Sequence, residues 1–176
     1  MLETLISDAF LIDPEPYEDE RGFFSRIFCS EEFAKKGLSP LIVQINNSKS
    51  RSAKTLRGLH YQLPPFEETK LVRCIHGSLF DVVLDIRENS PTYGRWIGEI
   101  LSSHNRRMMY VPKGCAHGFM TLTEDTEVIY FVSEAYSQSH ERGIRYNDSA
   151  FNIQWPYEAE VISERDKTHP DFIKEQ

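Results

Sequence analysis

Short apolar runs separated by turn residues dominate the chain, and they predict a protein built mainly from β-strands. Residues 71–75 and 79–86 form two such runs, and Gly77 marks a tight turn between them. Further candidate strands cover residues 96–101, 108–111, 118–122 and 126–132, the last two being expected to form a pair. Short strands at this spacing are typical of antiparallel sandwiches and barrels, so the pattern favours one of these two architectures.

Helical periodicity is confined to two short segments. Residues 30–37 carry acids in the first turn and lysines in the last, with Ser30 as the predicted N-cap and Gly37 as the predicted end. A second short helix is predicted after Ser163, which can cap it in the same way. No repeat or domain boundary interrupts residues 1–176, and this length suffices for one domain with a full core.

The composition excludes several classes of partner. Lys and Arg number 20 against 27 Asp and Glu, which gives a net charge of −7. We therefore expect no nucleic-acid partner, because binding to a phosphate backbone requires a basic surface. No apolar run approaches the roughly 18 residues of a membrane span, and no signal segment opens the chain, so we expect no membrane partner and a cytoplasmic location. Three cysteines without a CxxC pair are expected to stay reduced.

Residues 55–70 hold most of the candidate chemistry. His60 lies on one face of the predicted strand, whereas Arg57 faces the other way unless Gly58 bends the strand. A histidine base, an arginine that can hold an anion and the cation of Lys70 together suit proton abstraction from an anionic small molecule. The spacing alone also allows a structural interpretation, in which the two cations are solvated charges and His60 is a hydrogen-bonded structural histidine.

Several longer strings of residues carry a family resemblance. RGFF at 21–24 and VQINNSKS at 43–50 are followed by LRGLHYQ, KLVRCIHGSLFDVVLDIRENSPTYGRW, VPKGCAHGF, ERGIRYNDSAFNIQWP and ISERD, in this order. Together they resemble the dTDP-4-dehydrorhamnose 3,5-epimerase family of nucleotide-sugar epimerases. The resemblance extends from about Phe10 to Asp166, which is nearly the whole chain.

The resemblance implies a cupin-type jelly roll with an added N-terminal strand and a C-terminal helical tail, assembled as a homodimer. Many cupins bind a metal through a His-x-His pair, a later Glu and a distant His. Here His60 is followed by Tyr61 and Gln62, and His117 has no histidine two positions on. Because imidazole and carboxylate groups stand isolated in the sequence and a metal needs a converging set, we predict an enzyme without metal or other cofactor.

The implied reaction is inversion of C3 and C5 of an NDP-4-keto-6-deoxyhexose, with dTDP-4-dehydro-6-deoxyglucose as substrate and dTDP-4-dehydrorhamnose as product. The 4-keto group acidifies both C–H bonds because the carbonyl can hold the resulting charge as an enolate. By match to the family, His60 is the base and Asp166 fixes its tautomer. Tyr130 is the proton donor on the opposite face, and Lys70 stabilises the enolate oxygen.

The resemblance also implies a set of substrate contacts. Arg21 and Arg57 match diphosphate contacts, where a planar guanidinium suits paired oxygens. Tyr136 matches a tyrosine that stacks on the nucleobase, and His117 matches a residue lining the sugar pocket. Further contacts are expected at Gln44, Asn46, Glu141 and Arg165. Without the resemblance, these residues would be interpreted as surface polar groups or half-buried strand aromatics.

The chain departs from the commonest family pattern at a few positions. Arg26, which we expect to contact the nucleotide, replaces a glutamate, Ile45 replaces an aspartate, and Glu67-Glu68-Thr69-Lys70 replaces Ala-Gln-Gly-Lys. Because most of these positions are associated with the nucleotide, thymine, cytosine and guanine all remain open. The alternatives are an epimerase acting at C3 only, a CDP- or GDP-sugar 3,5-epimerase, a non-catalytic sugar-binding cupin, and a metal-dependent cupin oxygenase or isomerase.

Overall fold

The computed structural model describes residues 1–173, which form fourteen strands and two short helices. In chain order these are β1 (Leu2–Glu3), β2 (Phe10–Ile12), β3 (Tyr17–Asp19), β4 (Gly22–Phe24), α1 (Ser30–Lys35), β5 (Gln44–Ser50), β6 (Thr55–Gln62), β7 (Lys70–His76), β8 (Ser78–Asp85), β9 (Trp96–Ser102), β10 (Met108–Val111), β11 (Cys115–Thr121), β12 (Thr126–Val132), β13 (Glu141–Gly143), β14 (Val161–Ile162) and α2 (Glu164–Lys167). The prediction of a mainly β protein is confirmed.

Two antiparallel sheets face each other. The first has the order β1-β2-β10-β7-β12-β5, and the second has the order β13-β6-β11-β8-β9, with β14 added parallel to β6. Successive strands along the chain alternate between the two sheets from β5 to β8 and again from β10 to β12. The first sheet contains β5, β7, β10 and β12, and the second contains β6, β8 and β11. This alternation produces the predicted jelly roll, with the added N-terminal strands β1 and β2 at one edge of the first sheet.

The expected pairing of residues 118–122 with residues 126–132 is wrong. These residues fall in β11 and β12, which lie in different sheets. Both edges of β11 are occupied by β6 and β8, while β12 pairs with β5 and β7. A short polar turn between two apolar runs has the same sequence signature whether the chain folds back as a hairpin or crosses to the facing sheet. Only the competition for strand edges decides between them.

The helices agree in place with the prediction but differ in detail. Cys29, and not Ser30, is the N-cap of α1, and its side chain makes no capping hydrogen bond. The helix ends at Lys35, two residues before Gly37, whose φ of 74° lies in the left-handed region. Ser163 caps α2 as predicted, since its hydroxyl oxygen accepts a hydrogen bond from the backbone N–H of Asp166. Neither helix within residues 1–173 has the length and apolar character needed to cross a membrane.

The main core fills the space between the two sheets. Its central side chains are almost fully buried, and they are Val72, Leu79, Val83, Met109 and Val128. The outer face of the first sheet is covered by α1 through Phe33, and that of the second by the C-terminal segment through Phe151. Apolar burial of this kind contributes about 1.5–3 kcal/mol per large side chain. Polar side chains replace apolar ones where β6 and β11 of the second sheet face β12 of the first, and a cavity opens there.

Candidate active site

A bend in β6 brings two candidate residues to the same side of the strand. Gly58 has a φ of 103°, and the pairing of β6 with β11 shifts register between His60 and Arg57. A Cβ at residue 58 would lie 2.7 Å from the carbonyl oxygen of His117, so this close approach requires glycine. As a result Arg57 and His60 line one cavity, although simple alternation along the strand would have separated them.

Two adjoining cavities lie between the sheets at this end of the molecule. The larger has a volume of about 550 Å³ and the smaller about 330 Å³, both in the range typical of small-molecule sites. His60, Lys70 and Tyr130 line both cavities and therefore mark their junction. His60 belongs to the second sheet, whereas Lys70 and Tyr130 belong to the first. A ligand at the junction would have the histidine and the tyrosine on opposite walls.

His60 forms a hydrogen-bonded pair with Asp166, 106 residues away in sequence. Nε2 of the imidazole lies 2.8 Å from Oδ1 of the carboxylate, and Oδ2 accepts a hydrogen bond from the backbone N–H of Gly58. Burial alone would raise the pKa of Asp166, but the hydrogen bonds from His60 and Gly58 outweigh it and hold this pKa below its ordinary value. Because a carboxylate only accepts hydrogen bonds, Nε2 carries the proton and Nδ1 keeps the free lone pair.

Tyr130 and Lys70 complete the junction from the first sheet. Burial raises the pKa of the Tyr130 phenol above its ordinary value, and the charges of Glu68 and Glu141 raise it further against the opposing effect of Arg57. The phenol therefore stays protonated at neutral pH. Lys70 lies 3.2 Å from Glu68, and both side chains are largely buried, so the ammonium group is fixed in position and its charge is partly balanced.

The structure also reveals a second histidine–aspartate pair, which the sequence analysis missed. Nε2 of His117 lies 2.8 Å from Oδ1 of Asp81, and Asp81 is completely buried. One oxygen of this carboxylate, Oδ2, has no hydrogen-bond partner among the described residues. The position of Asp81 between apolar residues of β8 is the signal that could have revealed the pair, because a buried carboxylate needs a partner.

Most of the other predicted contacts surround the smaller cavity. Gln44, Asn46, Tyr136 and Glu141 line it. The Tyr136 hydroxyl and the Arg165 guanidinium both donate hydrogen bonds to the Glu141 carboxylate. Arg165 itself lines the larger cavity together with Arg57, whose guanidinium is held by Ser50 and by the carbonyl oxygen of Lys49. The two expected nucleotide contacts Arg57 and Tyr136 are thus placed in different cavities.

Comparison with known proteins identifies the family. The profile of the family described as dTDP-4-dehydrorhamnose 3,5-epimerase matches residues 3–174. The chain belongs to this family. Its members are isomerases, and the family assignment made from the sequence motifs is confirmed.

Individual relatives of this epimerase family align over nearly the whole chain. The dTDP-4-dehydrorhamnose 3,5-epimerase of Shigella flexneri is 42% identical over 98% of this chain and 96% of its own length. The crystal structure of the Bacillus anthracis epimerase with TDP and PPi bound is 41% identical, with a TM-score of 0.93 and 97% coverage of both chains. A 3′-monoepimerase from Streptomyces bikiniensis in complex with dTDP-quinovose is 31% identical, with a TM-score of 0.90, and covers 97% of this chain and 87% of its own.

Two predicted substrate contacts, Arg21 and Arg26, and the departing position Ile45 do not line either cavity. Arg21 sits in the turn of the β3–β4 hairpin with a side chain that is 84% exposed, and it pairs with Asp19. Arg26 pairs with Glu32 at the start of α1. Ile45 is on the outward face of β5, as the alternating burial of that strand shows.

One cluster of possible metal ligands was missed in the sequence. His60, Asp166 and His169 each offer one ligand atom, and these atoms lie within 4.8 Å of one another, so the view that such groups stand isolated is wrong here. The three-residue spacing of Asp166 and His169 at the end of α2 could have indicated it. A tetrahedral ion keeps its ligand atoms about 3.3 Å apart, so it would have to displace the 2.8 Å hydrogen bond between His60 and Asp166. A metal-free enzyme remains a prediction.

Proposed function

We propose that this chain inverts C3 and C5 of dTDP-4-dehydro-6-deoxyglucose and thereby produces dTDP-4-dehydrorhamnose. The placement of His60, Lys70 and Tyr130 at the junction of the two cavities carries this proposal. Inversion of a carbon centre requires removal of a proton on one face of the sugar ring and delivery of another on the opposite face. A base and an acid on facing sheets meet this requirement.

The first step is removal of the C3 proton by His60. Its Nδ1 lone pair takes the proton, and the electron pair of the C–H bond moves into the C3–C4 bond to form an enolate with negative charge on O4. The imidazolium that results lies against the negative charge of Asp166 at 2.8 Å. Asp166 therefore both fixes the imidazole tautomer and stabilises the charge that develops in this step.

The second step is return of a proton on the other face. The enolate collapses as C3 takes the phenol proton of Tyr130, which recovers a proton from solvent while His60 loses its own to solvent. Lys70, held beside Glu68, places a positive charge near O4 and lowers the energy of the enolate. The same cycle at C5 completes the reaction, and it requires no oxidant, reductant or metal for its balance.

The nucleotide is bound by positive charge and by an aromatic face. Arg57 and Arg165 line the larger cavity and can balance a diphosphate, although the whole chain has a net charge of −7. Tyr136, 55% exposed at the smaller cavity, is proposed to stack on the base. Dissociation constants for dTDP, CDP and GDP test the choice of thymine. A tenfold preference for CDP or GDP, about 1.4 kcal/mol, would contradict it and leave the epimerase chemistry intact.

We also propose that the protein acts as a homodimer. The β3–β4 hairpin exposes Tyr17 and Phe24, and the open edge of the first sheet at β5 exposes Val43 and Ile45. Exposed apolar groups of this kind mark association surfaces. Arg21, in the same hairpin, would reach a nucleotide only in a second copy. Sedimentation equilibrium of the wild type and of Phe24→Asp tests the dimer, and a wild-type monomer with full activity would contradict it.

The location is proposed to be cytoplasmic. The three cysteines, all within the described residues, are unpaired, and two of them are buried. Reduced thiols are expected in a reducing compartment.

The experiment that tests the function is incubation with dTDP-4-dehydro-6-deoxyglucose in deuterated water, followed by NMR at C3 and C5. Deuterium at both carbons together with the rhamno configuration supports the proposal. Inversion at C3 alone would support a monoepimerase, the activity named for the Streptomyces bikiniensis relative. Tight binding without exchange at either carbon would identify a non-catalytic sugar-binding protein and would overturn the proposal.

A further inference from the structure

His169 lies beside the proposed proton-transfer pair, at a position that the reaction as described does not use. It follows α2, and its ring packs over Gly143 in β13. Gly143 is the residue directly opposite His60 in the pairing of β13 with β6. A Cβ at residue 143 would come within 2.0 Å of Nε2 of His169, so the ring occupies space that only glycine leaves open.

The contacts of His169 converge on the same carboxylate oxygen that His60 uses. Nε2 of His169 lies 3.7 Å from Oδ1 of Asp166, and the rings of His60 and His169 are 6.1 Å apart at an interplanar angle of 81°. This distance is too long for a hydrogen bond, and Nε2 is buried with no hydrogen-bond partner among the described residues. Since a buried nitrogen without a partner costs free energy, folding alone does not account for a histidine here.

We propose that His169 is a positioning residue for proton transfer, whose ring, seated over Gly143, keeps water away from the Asp166–His60 pair and holds the carboxylate in place. This inference rests on the proposed function. Coulombic attraction between a carboxylate and an imidazolium is several-fold stronger in a protein environment than in water. Exclusion of water at Asp166 therefore strengthens its hold on the protonated base.

The charge state of His169 fits this role. Burial lowers its pKa below the ordinary value, and the neighbouring His60 and Arg165 lower it further, while Asp166 and Glu141 oppose the shift. A neutral ring at neutral pH fills the space without a second positive charge beside the imidazolium that His60 becomes. A protonated His169 would compete with His60 for Asp166.

Variants at the two packing partners separate this role from simple support of the fold. We expect His169→Ala to lower kcat by about tenfold to 10²-fold with KM and the Kd for dTDP unchanged, because a small misplacement of a catalytic group has effects of this size. His169→Phe keeps an aromatic ring over Gly143, somewhat larger than imidazole and without a nitrogen, and should leave kcat well above that of His169→Ala. Lys167→Ala, on the exposed side of the same segment, serves as the matched control and should change neither kcat nor KM.

Gly143→Ala provides the second test. It should lower kcat about as much as His169→Ala, because the new methyl group displaces the ring. The double variant should be no worse than either single variant, since both remove the same contact. Additive losses of kcat, or His169→Phe as inactive as His169→Ala, would overturn the proposal. The proposal would also be overturned if His169→Ala kept the wild-type kcat and only lowered the urea concentration at the midpoint of unfolding.

A readout without substrate distinguishes failure of this inference from failure of the proposed function. The proton shared between His60 and Asp166 should give a far-downfield resonance in the proton NMR spectrum. His169→Ala should broaden or abolish it by admitting water, and His169→Phe should retain it. An unchanged resonance in His169→Ala overturns the role of His169, whereas a wild type that fails to exchange protons of any sugar nucleotide overturns only the proposed reaction.

Discussion

Replacement of Asp166 by asparagine is the sharpest test of the proposed base. Asn has nearly the shape of Asp, so it should preserve the packing of this buried position, where 5% of the residue is exposed. One side-chain oxygen can still accept from the backbone N–H of Gly58, as Oδ2 does in the wild type at 3.2 Å. The other side-chain atom is then an amide nitrogen, which donates toward Nε2 of His60 and favours the wrong imidazole tautomer.

The expected decrease in kcat follows from the loss of the negative charge of Asp166. Once His60 has taken a proton, it forms an ion pair with Asp166. Such a pair contributes about 4 kcal/mol at a charge separation of about 4 Å and an effective dielectric constant of about 20. Since about 1.4 kcal/mol corresponds to a tenfold change in rate, kcat should fall by about 10³-fold in Asp166→Asn. This lies within the range of about 10²–10⁴ expected for loss of a general base.

The assay compares deuterium incorporation at C3 and C5 in the wild type, Asp166→Asn, His60→Ala and the double variant. The double variant should be little slower than His60→Ala, because the two residues act as a unit. The Kd for dTDP should stay close to wild type in each variant, and each variant should remain folded. His76→Ala is the matched control, since this exposed histidine lines neither cavity. Near-wild-type exchange in His60→Ala would refute the assignment of the base.

Other predictions address the acid, the metal and the fold. Tyr130→Phe should slow net inversion more than exchange of the substrate proton into solvent, and equally small effects on both rates would mean that water or another group delivers the proton. Activity should survive prolonged dialysis against EDTA, and a loss restored by a divalent ion would refute the metal-free mechanism. Burial of Asp85 would raise its pKa, but hydrogen bonds from Arg87, Ser90 and Thr92 outweigh this and lower the pKa to about 2. A lowered folded-state pKa gives stability that is complete above the unfolded value near 4, so about 2 kcal/mol should be lost as the pH falls from about 4 to 2. Urea unfolding at several pH values measures this loss, which should be absent in Asp85→Asn.

The pattern of apolar runs and turn residues was enough to predict β6 to β12, a sandwich or barrel architecture and the cap of α2 at Ser163, but it did not indicate β1 to β5, β13 or β14. Burial of one face of a strand and capping of a helix depend on residues that are close in the sequence. Both features can therefore be predicted from the sequence alone. The assignments of His60, Asp166 and Tyr130 came from motifs shared with a family. Periodicity alone gave no reason to bring residues 60 and 166 together.

Tertiary structure decided the features that depend on which strands compete for the same edge and on how closely backbones approach. β11 and β12 lie in different sheets because both edges of β11 are occupied by other strands. Arg57 and His60 line one cavity because Gly58 bends β6 against the carbonyl of His117. The burial of Asp81 with His117 and the packing of His169 over Gly143 both join residues from different segments of the chain, and only the folded geometry brings these residues together.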